Sequence, residues 1–234
     1  MMPKRWRLCE MIATGSTGWH EAAGSRTNAV LYGWEKGFFS MAKLLGNLSY
    51  AVLLGTALLL VVLFGFHGGL VSADGYANGF FRFLHVLAGI MWIGLLYYFN
   101  FVQIPTMPKV PAELKPAVSK YIAPEALFWF RYAALVTVLT GLIVSMLSGY
   151  MIEALTLQSP YRLIGLGMWL ALIMAFNVWF IIWPNQKKAL GIVEADADTK
   201  AKAATTAMLF SRTNTVLSLP MLYCMVTQGA LGGA

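Results

Sequence analysis

The run Phe80 to Gln103, FFRFLHVLAGIMWIGLLYYFNFVQ, constrains the fold more than any other stretch of this chain. A bilayer span takes about 20 mostly apolar residues, and this run is long and apolar enough to be one. It nevertheless carries a histidine and two carboxamides. Polar groups inside a span are costly and are usually kept on the protein-facing side for a purpose. At roughly 100° per residue, His85, Gly89, Trp92, Leu96, Asn100 and Gln103 fall on one stripe. His85 and Gln103 lie ~27 Å apart along it, at ~1.5 Å per residue. One helix face therefore holds an imidazole near one membrane surface and amides near the other.

The whole chain follows the same pattern. Of its 234 residues 59% are hydrophobic and 12% charged, whereas soluble domains run nearer a quarter charged. An integral, all-α membrane helix bundle is the expected class. Five apolar segments stand out: Leu48–Phe66, Phe80–Gln103, Ala126–Leu147, Leu163–Trp183 and Ala207–Val226. The last is interrupted by Ser211, Arg212, Thr213 and Asn214, and Pro220 is expected to kink it. Continuous runs without strand-like alternation exclude a barrel, and only helices or closed barrels satisfy the backbone in lipid.

Orientation follows from Lys and Arg, which favour the cytoplasmic side. Lys4, Arg5, Arg7, Arg26, Lys36 and Lys43 precede the first segment. Lys109, Lys115 and Lys120 lie between the second and third, and Lys187, Lys188, Lys200 and Lys202 between the fourth and fifth. The intervening segments are almost free of them, so the N-terminus is expected in the cytoplasm, with the chain multi-pass. The net charge of +7 is spread over these flanks and indicates no nucleic-acid partner; lipid is the partner implied. Residues Met1–Ser40, of mixed polarity and little periodicity, read as a poorly ordered tail ahead of a bundle over 41–234, with Met41 a natural start. Pro105, Pro108, Pro111, Pro116 and Pro124 exclude a single continuous helix for the connector between the second and third spans.

The polar residues inside the spans separate by depth. Asn100, Gln103, Arg131, Asn177, Asn185, Arg212 and Asn214 converge toward the Lys-rich side. Arg supplies fixed planar donors, while Asn and Gln supply donors and acceptors, so this set would suit a flat anion rich in carbonyl and N–H groups. Toward the other side are His67, ending the first span, and His85. Two imidazoles on neighbouring helices could ligate a b-type haem axially, with Gly89 leaving room for the macrocycle and Arg82 placed either to pair with a propionate or to anchor the helix; imidazole also serves other transition metals. No Cys-x-x-Cys-His occurs, so covalent haem c is excluded, and Cys9 and Cys224 imply no disulfide framework. Tryptophans at 92, 129, 169, 179 and 183 read as interface belts or packing. Gly141, Ser145 and Gly149 form a small-residue ladder that reads as a helix contact.

Four stretches, HVLAGIMWIGLLYYFNFVQIPTMP, ALFWFRYAALVTVLTGL, NVWFIIWPNQKKALG and SRTNTVLSLPMLYCMV, together resemble the membrane domain of the membrane-bound urate hydroxylases, the urate oxidase N-terminal domain family. The resemblance runs from Phe80 to Val226. Its WPNQ and SRTNT blocks are more specific than the His–Gly–Trp pattern, which other bacterial membrane families share. It implies a polytopic bacterial membrane protein that oxidises urate and passes electrons to cytochrome c. The family's full-length enzymes carry a C-terminal cytochrome c domain, whereas this sequence ends at Ala234 with fewer spans, so electron export is expected to need a separate cytochrome. The alternative is a non-catalytic or haem b-binding subunit of a larger respiratory or oxygenase complex. A transporter is disfavoured by the lack of inverted repeats or paired broken helices.

Overall fold

The protein is described by a computed structural model over residues 45–70 and 75–231; the Met1–Ser40 tail and Met41 lie outside the described residues. All regular structure among the described residues is helical. The chain divides into two units, one ending at Val71 and one beginning at Ser72.

The first unit contributes α1, Leu48–His67. Asn47 starts it, its side-chain oxygen accepting from the Ser49 N–H at 2.9 Å and so satisfying one of the free donors of the first turn. Apart from Ser49, Thr56 and His67 the helix is apolar or glycine all round and has no buried residue, a pattern suited to lipid.

The second unit is a bundle of four long helices: α2 (Tyr76–Lys109), α3 (Lys115–Leu147), α5 (Arg162–Ala189) and α6 (Ala197–Leu231), with a one-turn α4 (Met151–Leu155) between α3 and α5. Helix α2 packs most extensively on α3, and α5 on α6. The core is built where the four meet, from Trp92, Leu96 and Phe99 of α2, Leu127, Phe130 and Ala134 of α3, Met174, Val178 and Ile182 of α5 and Met221 of α6. A smaller cluster seats α4 on α5 through Ala154, Ile164 and Met168. There α5 must carry Gly165, because a Cβ would collide with the Ala154 carbonyl.

Among the described residues four helices are long and apolar enough to cross a membrane: α1, α2, α3 and α5. This is roughly consistent with the about five expected. Helix α6 is long enough at 35 residues but carries too many polar groups. Ser211, Asn214 and Ser218 recur at helical spacing and are all buried, so part of its polarity is directed into the bundle.

The Pro-rich connector is, as expected, not one continuous helix. It does break, but only over Val110–Leu114; Pro105 and Pro108 lie inside α2, and Pro116 and Pro124 inside α3. The helices pass these residues by widening. Tyr98–Gln103, Val118–Ile122 and Asn177–Ile182 are π-helical, and each ends two residues before a proline: Pro105, Pro124 and Pro184. Proline lacks the N–H for the i−4 carbonyl and its ring crowds that carbonyl. A wider preceding turn relieves the clash without ending the helix.

Candidate functional site

His85 lies on the inner side of α2, facing α3. Its Nδ1 is 2.8 Å from the carbonyl oxygen of Thr137. A carbonyl only accepts, so Nδ1 carries the proton and Nε2 keeps its lone pair. Thr137 Oγ1 is itself turned back to the Ala133 carbonyl at 2.7 Å, as threonines in helices do. The ring can lie this close to α3 because residue 141 is glycine: a Cβ there would stand 2.8 Å from His85 Cε1 and 3.0 Å from Nδ1.

The imidazole borders a cavity of about 490 Å³ between α2, α3, α5 and α6. Arg82 and Tyr150 lie at its outer end, and Gly89, Ser145, Met168, Met221 and Met225 on its walls. At its inner end is Trp92, only 1% exposed, whose indole N–H has no partner among the described residues. A Cβ at Gly89 would meet nothing nearer than Thr137 Cγ2 at 3.8 Å. Packing therefore does not demand glycine there, although its absence of a side chain enlarges the cavity. Arg82 is anchored outside, donating from Nη2 to Asn78 Oδ1 at 3.1 Å, while Asn78 Nδ2 donates to Ser148 Oγ at 2.6 Å. The size and the apolar wall with a few polar groups are those of a small-molecule site.

His67, the other expected ligand, ends α1 in the first unit and is exposed. No group of three or more His, Cys, Asp and Glu side chains suited to a metal ion occurs among the described residues.

The polar residues expected at the Lys-rich end divide into three kinds. Asn177 and Asn214 form a direct tie between α5 and α6: Asn177 Nδ2 donates to Asn214 Oδ1 at 2.9 Å, and Asn214 Nδ2 donates to the Met174 carbonyl at 2.9 Å. Asn100 ties α2 to α6, Nδ2 donating to Ser211 Oγ at 2.8 Å and to the Leu96 carbonyl at 2.9 Å. Asn185 turns back on its own helix to the Ile181 carbonyl at 2.8 Å. Arg212, by contrast, lies on the exposed side of α6, two residues from the buried Asn214. The structure thus separates Arg212 from the amides it was expected to join, because residues two apart on a helix point in different directions.

Arg131 is the third kind. It is buried, 9% exposed, and its Cζ sits 3.2 Å from the centroid of the Trp183 ring. Its Nε and Nη1 have no partner among the described residues, nor do Gln103 Oε1, Asn100 Oδ1 and Gln186 Oε1. Sequence reasoning found Arg131 and His85 but missed Thr137, Gly141 and Trp183 beside them. Gly141 was legible only as a small residue on a helix face, and a tryptophan at a span end looks the same whether or not an arginine covers it.

These features define a multi-pass helical membrane protein with a polar-edged internal cavity and a separate buried cation. Residues 155–229 match the family described as urate oxidase N-terminal. That match takes in less than half of the 234 residues, covering α5 and nearly all of α6, which carry Met168, Met221 and Met225 of the cavity wall and the Asn177–Asn214 tie. No curated protein matches the chain, and no solved structure does.

Proposed function

We propose that the protein is a redox-active membrane protein of the urate-oxidase type that holds a b-type haem in the cavity beside His85 and passes electrons to a separate cytochrome. The observation that carries this reading is the 2.8 Å contact between His85 Nδ1 and the Thr137 carbonyl oxygen. A ring whose Nδ1–H is held by a backbone carbonyl presents Nε2 as a ligand, and this is the arrangement by which metal-binding histidines are oriented. The residues present fit the group. Gly141 seats the imidazole, the wall is largely apolar, and Arg82 at the outer end suits a propionate. When bound, haem supplies one-electron chemistry; His85 would hold it and Arg82 would orient its acidic edge. The match to the urate oxidase N-terminal family supports urate, or a similar planar anion, as the electron donor.

The amide ties favour a narrower second reading. Asn100, Asn177 and Asn214 spend their donors on other helices, which is what a non-catalytic subunit of a larger respiratory or oxygenase complex would require of them. The two readings separate in one experiment on the full chain, purified after expression with haem precursor. A Soret band that shifts on dithionite reduction and is lost in His85→Ala is expected. Anaerobic urate should produce the same shift in the enzyme and none in the subunit. A spectrum without a Soret band in the haem-supplemented protein would overturn the haem assignment.

A further inference from the structure

Arg131 and Lys187 bring two cations to one indole. The guanidinium carbon of Arg131 lies 3.2 Å from the Trp183 centroid and the Lys187 ammonium 5.7 Å from it. Stacking on the ring holds the guanidinium and attracts it electrostatically, but leaves its charge in place. Neither Nε nor Nη1 meets an acceptor among the described residues. The nearest carboxylate along α3, Glu125, accepts instead from the Trp129 indole N–H at 3.0 Å. A buried, uncompensated cation is costly, and a second one beside it raises that cost. The arrangement lacks an anion.

The position of the pair says which anion fits. Trp183 lies 21 residues after the start of α5 at Arg162, ~32 Å along the axis, which is about the thickness of a hydrocarbon core. Lys187 is one turn further out. Arg131 and Trp183 therefore stand at the lipid–water boundary of the Lys-rich side. Between α3 and α5 the same level carries an aromatic row reaching the surface: Phe128 against Tyr132 at 4.7 Å and Tyr132 against Trp179 at 5.8 Å. Phe128 and Tyr132 are exposed. This combines two cations at headgroup depth with an exposed aromatic face between α3 and α5. Basic pockets between spans on the cytoplasmic side bind anionic headgroups in this way.

We propose that Arg131 and Lys187 form a site for the phosphate of an anionic phospholipid, with Trp183 fixing the guanidinium and an acyl chain lying against the exposed rings of Phe128 and Tyr132. The site is separate from the His85 cavity, whose lining includes neither Arg131, Trp183 nor Lys187.

The full chain in nanodiscs tests this. Nanodiscs of phosphatidylcholine containing a minor fraction of phosphatidylglycerol should yield protein that retains phosphatidylglycerol preferentially, read by native mass spectrometry after detergent exchange. Lys187→Gln and Arg131→Gln should each weaken that preference about fivefold, the effect of removing one basic residue near a membrane surface. Lys188→Gln removes the same charge from an exposed neighbour and should leave it unchanged. Arg131→Lys, which keeps the charge, should retain most of the preference, so a loss in Arg131→Gln that came only from misfolding would show as an equal loss in Arg131→Lys and count against the site. No preference in the wild type overturns the proposal. So does an equal loss in Lys188→Gln, which would mean diffuse surface attraction, or displacement by millimolar inorganic phosphate, which would mean a site for a free anion.

Discussion

The imidazole of His85 rests on the bare Cα of Gly141: a methyl group added there would come within 2.8 Å of Cε1. The contact is between a rigid ring and a helix backbone, so neither side can yield easily. Gly141→Ala is expected to push the ring off the Thr137 carbonyl. Overpacking of this kind costs ~1–3 kcal/mol, visible as a lowered Tm in detergent. If haem is bound, the Soret band should weaken or shift. Ser145→Ala, one turn away, should do neither. An unchanged spectrum in haem-loaded Gly141→Ala would show that the ring's position is immaterial to binding.

The Asn177–Asn214 tie should be measurable as a coupling. Polar contacts between spans average ~0.6 kcal/mol with a maximum of ~1.7 kcal/mol. A double-mutant cycle of Asn177→Ala and Asn214→Ala should fall in that range. Asn214→Ala should be the costlier single change, since it also removes the side-chain bond to the Met174 carbonyl. Equilibrium unfolding in mixed micelles reads both quantities, and a coupling near zero would mean the two amides do not hold the helices together.

Arg212 gives the opposite expectation. It is exposed, so Arg212→Gln should change stability by no more than ~0.5 kcal/mol, well below Asn214→Ala. A larger loss for Arg212→Gln would show that its guanidinium is engaged by a partner.

Asp196 lies outside the spans, ahead of α6, and its two oxygens accept from the Thr199 N–H at 2.8 Å and the Thr199 hydroxyl at 2.7 Å. These bonds hold its carboxyl below the usual carboxylate range. A depressed folded-state value means a contribution that is complete above the ordinary carboxylate pKa and is lost as pH falls through the lowered one. Amide exchange over Ala197–Ala201 should therefore be slower in wild type than in Asp196→Ala at neutral pH. The two should converge in acid, below the lowered value. A difference that persists there would assign the cap to something other than the ionised carboxyl.

The spans and the stripe on α2 were legible because lipid enforces apolarity and a helix repeats. Trp92 and Leu96 are buried where that stripe puts them, and His85 borders the cavity. The basic-end pocket was only partly legible. Arg131, Asn177 and Asn214 are buried as expected, yet Arg212 is not, because a polar block such as SRTNT does not state which of its members faces inward; that depends on the phase α6 adopts against α5. The fifth span was read from length, but the buried polar stripe of Ser211, Asn214 and Ser218 lowers the apolarity of α6 below that of the other four. The cavity was legible only from its α2 side, through Arg82, His85 and Gly89; the walls that α3, α5 and α6 supply were not, since they are set by how far apart four helices stand.

The widened turns before Pro105, Pro124 and Pro184 carry a geometric consequence. A π turn closes its bonds over one residue more than an α turn, so a helix leaving it is advanced in azimuth by roughly one residue, about 100°. α2 and α5 thus present one compass bearing to the bundle within the membrane and another at the Lys-rich end. A single helical wheel drawn through all of α5 would misplace either Asn177 or Lys187. The bearing that seals the core and the bearing that carries Trp183 and Lys187 together at the Lys-rich end can be tuned separately, by a residue inserted at the turn rather than by any change in the span.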